Sequence, residues 1–137
     1  MKARIALITV LTDGTPAMLR FYRDVLGFQP IGEVDEEHPG YVEFRHEGVR
    51  FALCARSIMK DATGALTFDA PREGQVFELA FPCDTFEEVD TTYETLIAQG
   101  AQPVQAPAMM PWGQRTAFFA DPEGNIHEIF ADPPPAS

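Results

Sequence analysis

Residues 21–30 read Phe-Tyr-Arg-Asp-Val-Leu-Gly-Phe-Gln-Pro, and residues 93–103 read Tyr-Glu-Thr-Leu-Ile-Ala-Gln-Gly-Ala-Gln-Pro, with the same Gly-x-Gln-Pro ending. The sequence on either side of these segments repeats as well, and in the same order. The matched segments are 5–10 with 76–81, 21–30 with 93–103, and 48–55 with 124–131. Self-similarity of this kind indicates a duplicated structural unit. We therefore interpret the chain as two copies of one module, whose equivalent positions can be compared in pairs.

The first copy is predicted to have the order βαβββ. A β-rich run at residues 4–11 precedes Thr15 and Pro16, which are typical of a helix N-cap and of the first helical position. Gly27 suits the left-handed residue that ends such a helix. The strands predicted after the helix are 29–34, 41–46 and 49–55, the last two joined by a hairpin turn at 47–48.

The second copy is predicted to have the same order. A strand at 75–81 leads into Thr85-x-x-Glu88, which is a capping box at the start of a helix, and Gly100 ends that helix. The strands predicted after it are 103–106, 114–120 and 125–130. A tight turn at 121–124 joins the last two, and we expect its acidic side chains to lie in solvent.

The length of 137 residues predicts a single domain, 1–137, that buries roughly two-thirds of its unfolded surface. We divide it into module one at 1–56, a linker at 57–74, module two at 75–131 and a disordered tail at 132–137. The linker mixes glycine, proline and charge, which is typical of a surface connection and also allows a functional flap.

The charge balance of 21 acidic against 10 basic residues, a formal net charge of −11, argues against nucleic acid or an anionic membrane as a partner. The sequence has no apolar run of about 20 residues and no signal-peptide pattern at its start, so we expect a cytoplasmic protein. Cys54 and Cys83 lie in apolar strand contexts without a Cys-x-x-Cys spacing, which favours buried free thiols.

Two motifs in this duplicated layout carry a family resemblance. Residues 21–28 and the segment Ala-Asp-Pro-Glu-Gly-Asn-Ile-His-Glu at 120–128 resemble the vicinal oxygen chelate (VOC) superfamily, the glyoxalase, bleomycin resistance protein and extradiol dioxygenase group. The resemblance implies an α+β fold in which two tandem βαβββ modules form a curled mixed sheet with a concave cleft. It also implies a homodimer. Membership of this group does not by itself select a chemistry.

In metal-dependent members of that family, the resemblance implies four ligands, from the first and last strands of each module. The duplication assigns these positions to Ala6 and Glu78 in the first strands, and to Ala52 and Glu128 in the last strands. Alanine has no lone pair to donate, so Glu78 and Glu128 are the weak metal candidates that remain. We expect no metal cofactor, with a divalent metal as the alternative.

Four nearby residues, His127, Cys54, His38 and His46, carry side chains of the types that bind metals. Strand alternation should turn His127 away from Glu128, while Cys54 should share the face of Ala52. For Cys54, His38 and His46 we favour a packed thiol or solvated imidazoles over ligand roles. The same alternation predicts a mostly apolar cleft lining of Ala6, Ile8, Val10, Arg50, Ala52, Cys54, Glu78, Ala80, Ile126, Glu128 and Phe130, to which we add Trp112 and one of Phe118 and Phe119, with Phe118 preferred.

The leading hypothesis is a metal-independent small-molecule-binding protein of the bleomycin-resistance type, which sequesters a partly apolar, donor-bearing or cationic ligand. The alternative is a glyoxalase-like lyase or isomerase, or a dioxygenase, in which Glu78 and Glu128 are catalytic with a divalent metal or as general bases. A third possibility is an interaction module in which Arg50 pairs with both carboxylates and fills the cleft.

Overall fold

A computed structural model describes residues 1–75 and 77–136 and divides the chain into two compact units, 1–73 and a second beginning at Gly74. In the first unit the elements are β1 (Leu7–Thr12), α1 (Thr15–Arg20), β2 (Tyr41–Phe44), β3 (Arg50–Ala55) and α2 (Arg56–Thr63). In the second they are β4 (Ala80–Pro82), α3 (Phe86–Ala98), β5 (Gln102–Met109), β6 (Arg115–Ala120) and β7 (Ile126–Ala131). Across these described ranges, none of the helices has the length and apolar character needed to cross a membrane.

Each unit contains one open, mixed sheet. The first has the strand order β1-β3-β2, with β1 parallel and β2 antiparallel to β3. The second has the order β4-β7-β6-β5, in which β4 is parallel to β7 and the other pairs are antiparallel. Equivalent strands of the two sheets pair in the same way, as the duplication predicts, and the α+β fold that the family resemblance implies is confirmed.

The helix of the first unit packs its aromatic face on one side of the first sheet. The ring of Tyr22, which is fully buried, lies 6.5 Å from that of Phe44 and 5.8 Å from that of Phe51. The helix α1 continues through a π-helical turn at Phe21–Val25, and Gly27 adopts a φ of 83° after it, as predicted. Thr15 is the first helical residue and Gly14 holds the N-cap, so the predicted start was one residue late.

The helix of the second unit begins at the predicted N-cap, Thr85, and the returning bond from Glu88 reaches Asp84, one residue before the position of a standard capping box. Thr85 Oγ1 accepts from Glu88 N–H at 3.1 Å, and Glu88 Oε2 accepts from the backbone N–H of Asp84 at 2.5 Å. Gly100 follows the helix with a φ of 107°. Val89 and Leu96 are buried on the side of α3 that packs against the second sheet, and they anchor the helix there.

The predicted strand at 29–34 is reduced to a single bridge between Pro30 and Phe44. Hydrogen bonds flank the bridge, from Ile31 N–H to Glu43 O and from Arg45 N–H to Gln29 O, both at 2.8 Å. Pro30 has no N–H to extend the ladder, and Gly32, with a φ of 78°, turns the chain away.

The predicted strand at 75–81 is also shorter in the structure, and its residue Val76 lies outside the described residues. The backbone N–H of Leu79 donates to His127 Nδ1 at 3.1 Å. The side-chain amide of Gln75 bonds both the N–H and the C=O of Ile126, each at 2.8 Å. Side chains thus take hydrogen bonds that a longer strand would form through its backbone, so β4 begins only at Ala80.

The linker folds into the helix α2 and a short 3₁₀ turn at Leu66–Phe68, neither of which the sequence predicted. Arg56 ties the turn to the end of β3, because its Nη2 donates to the carbonyls of Thr67 and Ala70 at 2.9 Å. Its Nε lies 3.4 Å from the carboxylate of Asp13. Beyond β7, residues 132–136 are exposed and have no regular structure, and Ser137 lies outside the described residues.

Candidate functional site

The second sheet has two chemically different faces. Its helical side carries Phe119 and His127, whose rings lie 6.0 Å apart and which pair across β6 and β7. Because side chains alternate along a strand, Phe118 and Glu128 point to the opposite side. We call that side, opposite α3, the distal face of the second sheet.

Two rows of side chains cross this distal face. In one row the paired residues are Ala80, Glu128, Phe118 and Gln105, and in the next they are Pro82, Phe130, Thr116 and Ala108. Glu128 therefore stands between an alanine and a phenylalanine, and Thr116 does too, in the reverse order. Each of these two polar side chains therefore has a short alanine side chain on one side and an aromatic ring on the other.

Glu128 is an ionisable group in a mostly apolar setting. It is half-buried, and burial raises the pKa of its carboxyl above the ordinary range, with a smaller contribution in the same direction from the charge of Glu78. Glu78 lies two residues before Ala80, and the bond from Glu128 N–H to Leu79 O, at 2.9 Å, continues the strand pairing toward it. The structure thus brings together the two carboxylates that the sequence singled out.

The raised pKa of Glu128 predicts a pH-dependent stability. The Glu128 carboxyl binds its proton more tightly in the folded protein than in the unfolded chain. The free energy of unfolding therefore falls as the pH rises from the ordinary pKa of a glutamate to the raised pKa of Glu128. Glu128→Gln should therefore have a higher thermal midpoint than the wild type at neutral pH, and the difference should shrink as the solution is acidified. Glu123→Gln, at an exposed position, is the matched control, and the difference between its thermal midpoint and that of the wild type should be the same at every pH. A constant difference for Glu128→Gln across the pH series would contradict the assignment.

The distal face of the first sheet, opposite α1, has its own charged cluster. Arg50 donates from Nε and Nη2 to Glu43 at 3.1 and 2.6 Å, and the hydroxyl of Tyr41 donates to Glu43 at 3.2 Å. The Arg50 hydrogen bonds hold the pKa of Glu43 below its usual range. Arg50 therefore bonds a carboxylate of its own unit.

Three residues of the predicted lining lie on the wrong side. The register pairs Ile8 with Phe51 and Val10 with Leu53, which places both on the helical side of the first sheet. Ala6 precedes β1 and its carbonyl accepts from Arg50 N–H, while Leu7 is the residue paired with Arg50. The position equivalent to Glu78 is therefore Leu7. Both residues lie six positions before the aspartate that follows the strand, Asp13 or Asp84, and equal counting would have found it.

The donor set does not fit a bound divalent metal. At the four positions that the family resemblance associates with ligands, the first unit offers Leu7 and Ala52, and neither side chain can coordinate. Glu78 and Glu128 supply two hard oxygen donors, fewer than a catalytic ion requires. Within the described residues, no group of three or more His, Cys, Asp and Glu side chains could hold a metal ion.

The remaining predicted residues fall in different places. Cys54 shares the distal face of the first sheet with Ala52, and burial raises the pKa of its thiol. Trp112 is 66% exposed, and its Nε1 donates to Gln114 Oε1 at 2.7 Å. His38 and His46 are both exposed, and His46 Nδ1 lies 2.8 Å from the carbonyl of Val49.

The turn at 121–124 forms as predicted, but one of its acids is not in solvent. Asp121 is fully buried, and its Oδ1 accepts from the backbone N–H groups of Glu123 and Asn125 at 3.0 and 2.9 Å. Its Oδ2 accepts from Asn125 Nδ2 at 2.5 Å and lies 3.7 Å from Nε2 of the buried His127. The sequence prediction of a solvated side chain was wrong for Asp121 and correct for the exposed Glu123.

Thr116 is a residue of the distal face that the sequence analysis missed. Its side chain is 1% exposed, and its Oγ1 has no hydrogen-bond partner within the described structure. Leaving a buried hydroxyl without a partner is unfavourable by about 1–3 kcal/mol. The available signal was the two-residue spacing from Phe118, which places both residues on one face once the direction of Phe118 is known.

Comparison with known proteins finds similarity along nearly the whole chain. Residues 4–129 match the family model described as Glyoxalase/Bleomycin resistance protein/Dioxygenase superfamily. The protein YraH of Bacillus subtilis (strain 168), described as uncharacterized, is 30% identical over 129 residues, which cover 93% of this chain and 97% of YraH.

Solved structures show the same similarity. A glyoxalase/bleomycin resistance protein/dioxygenase from Nocardioides has a TM-score of 0.83 and 27% identity, and the match covers 100% of this chain and 88% of that one. A family enzyme from Burkholderia phytofirmans PsJN has a TM-score of 0.78 and 27% identity, over 94% of this chain and 98% of that one.

Proposed function

The chain belongs to the glyoxalase, bleomycin resistance protein and dioxygenase superfamily, and from that premise we propose that it is a metal-independent small-molecule-binding protein of the bleomycin-resistance type. It sequesters a partly apolar ligand that carries cationic or hydrogen-bond-donating groups. The observation that carries the proposal is the pair Glu78 and Glu128 beside the apolar side chains of one sheet face. The two ligand positions in the first unit, Leu7 and Ala52, support a role without a metal.

The chemistry of the face selects the ligand. A half-buried carboxylate beside Phe118 and Ala80 is poorly solvated, so a charged donor from the ligand replaces hydration that Glu128 has lost. The ring of Phe118 and the neighbouring Phe130 offer apolar area to the body of the ligand. The net charge of −11 adds long-range attraction for cations and repulsion for anions.

We also propose that the protein is a homodimer, as the family resemblance implies, and that it is cytoplasmic. The proposal includes no nucleic acid and no membrane partner, because a strongly acidic chain repels phosphate groups.

A second candidate function is proton transfer by Glu128, favoured by the upward shift in its pKa. A carboxyl whose pKa moves toward neutrality is a more effective general base, as a metal-independent isomerase or lyase of this superfamily would need. The two candidates differ in one observable. A sequestering protein returns its ligand unchanged after prolonged incubation, whereas an enzyme converts it and loses that activity in Glu128→Gln.

The test of sequestration is a thermal-shift panel of cationic glycopeptide, quinone and peptide antibiotics, with bleomycin as the first compound. Compounds that bind the folded protein and not the unfolded chain should raise the thermal midpoint in a concentration-dependent manner. Anionic compounds of similar size serve as the matched controls and should leave it unchanged. Absence of stabilisation across the cationic compounds, at concentrations far above micromolar, would contradict the proposal.

A further inference from the structure

We propose that Thr116 is a second polar contact for the ligand on the distal face of the second sheet, where its hydroxyl donates to an uncharged oxygen of the ligand. This inference rests on the proposed function, because it adds a recognition element to the same face. The observation behind it is the buried Oγ1 of Thr116, which lacks a partner in the described structure. A ligand oxygen would supply the missing partner.

The register places Thr116 and Glu128 in a defined relation. Glu128 pairs with Phe118, and Thr116 pairs with Phe130 on the adjacent row, so the two polar residues are diagonal neighbours across β6 and β7. Diagonal neighbours of an antiparallel pair have Cα atoms about 7–8 Å apart. That separation matches two polar groups at opposite ends of a single ring, with Phe118 and Phe130 as the apolar walls beside it.

The charge of the face determines which acceptor Thr116 takes. An anionic acceptor would approach Glu128 and Glu78, and like charges at this distance in a poorly solvated setting repel. A neutral carbonyl or hydroxyl oxygen avoids that repulsion. The ligand class is therefore an aromatic or similarly flat body with a cationic donor at one end and an uncharged oxygen at the other.

Access to Thr116 requires a small movement. Thr116 is 1% exposed, whereas Phe118, two residues further along β6, and Phe130, its partner on β7, are half-buried. The opposing residue on β5, Ala108, has no side-chain atom beyond Cβ, so it does not block an approach from that side. Binding at the hydroxyl therefore requires one of these neighbouring rings to rotate aside.

The experiment uses three small probes and the full chain. The probes are para-(aminomethyl)benzamide, with a neutral carbonyl; para-isopropylbenzylamine, with a similar shape and no acceptor; and para-(aminomethyl)benzoate, with an anionic acceptor. The wild type should bind the benzamide about five-fold more tightly than the isopropyl compound, in line with one added hydrogen bond. The benzoate should bind more weakly than either. Titration by nuclear magnetic resonance measures these millimolar affinities.

The variants assign the preference to Thr116. Thr116→Val keeps the shape and should abolish the benzamide preference, while Thr116→Ser keeps the hydroxyl and should retain it. Equal binding of the two amines by the wild type, or a preference that survives in Thr116→Val, overturns the role of Thr116 and leaves the proposed function intact. If the wild type binds none of the amines, or if Glu128→Ala binds them as tightly as the wild type does, the proposed function and the Thr116 contact are both overturned.

A measurement without any ligand tests the premise. If the hydroxyl of Thr116 lacks a partner in the free protein, Thr116→Val should raise the thermal midpoint above that of the wild type and of Thr116→Ser. A midpoint below the wild type would show that the hydroxyl is already hydrogen-bonded inside the protein, and would overturn the inference.

Discussion

Replacing Asp121 with alanine is expected to lower the free energy of unfolding by about 3 kcal/mol, because this buried carboxylate accepts three of the hydrogen bonds that hold the turn. Asp121 is fully buried and accepts from two backbone N–H groups of the turn and from the side chain of Asn125. The alanine variant removes all three bonds at once, and the buried Asn125 loses the acceptor of its side-chain amide. For a chain of this length the thermal midpoint should fall by roughly 10 °C. Denaturant unfolding and calorimetry measure both quantities.

The same turn supplies a matched control. Glu123 lies two residues away with an exposed side chain, so Glu123→Ala should change the free energy of unfolding by less than about 0.5 kcal/mol. Asp121→Asn should lie between the two, because its amide keeps one acceptor oxygen and turns a donor toward Asn125 or the turn. An Asp121→Ala variant as stable as Glu123→Ala would show that the buried bonds contribute little.

The stability of this turn matters for the candidate site because the turn joins β6 to β7. Asp121 follows the last residue of β6, and Asn125 precedes the first residue of β7. The bonds between them therefore set where Ile126 enters the sheet, and two residues later the chain delivers Glu128 to the distal face. Asp121 has no proposed contact with the ligand, but it positions the Glu128 carboxylate through the backbone.

The duplication was the part of the sequence that predicted most of the fold. Capping signals at Thr85 and Glu88, and glycines at positions 27 and 100, gave the helix boundaries because they correspond to specific hydrogen bonds and positive φ values. The linker helix α2 was missed because its eight residues form little more than two turns and five of them are polar, so its few apolar residues are too short a pattern to indicate a helix.

The faces of the strands were harder to predict than the strands themselves. A strand side chain changes sides with every residue, so a count that is wrong by one position reverses the assignment, as it did for Ala6, Ile8 and Val10. In the second unit the register places Ala80 and Glu128 on one face, as the count predicted, and Glu78 precedes β4. The burial of the Asp121 carboxyl was not predicted either, because burial depends on how the turn folds back on its own side chain.

Replacing Glu128 with alanine is expected to weaken binding of cationic ligands by roughly ten- to a hundred-fold in Kd, the effect of losing a hydrogen bond to a charged group. Titration by nuclear magnetic resonance with para-isopropylbenzylamine, and calorimetric titration with the most stabilising antibiotic of the panel, measure the change. The variant should remain folded, since a carboxyl whose pKa is raised by burial opposes folding at neutral pH when it is ionised. A loss of affinity is therefore attributable to the site, and the thermal midpoint checks this independently.

Charge and position are separated by three further variants. Glu128→Gln keeps an acceptor and loses the charge, so its affinity should fall between those of the wild type and Glu128→Ala. Glu78→Gln should have a smaller effect, because Glu78 is exposed and its charge is better screened, and Glu123→Gln should have none. Acidification through the raised pKa of Glu128 should weaken binding by the wild type and leave Glu128→Gln nearly unchanged, since protonation removes the same charge that the substitution removes. Equal affinities for Glu128→Ala and Glu123→Gln would place the cation elsewhere on this acidic surface, where net charge alone attracts it.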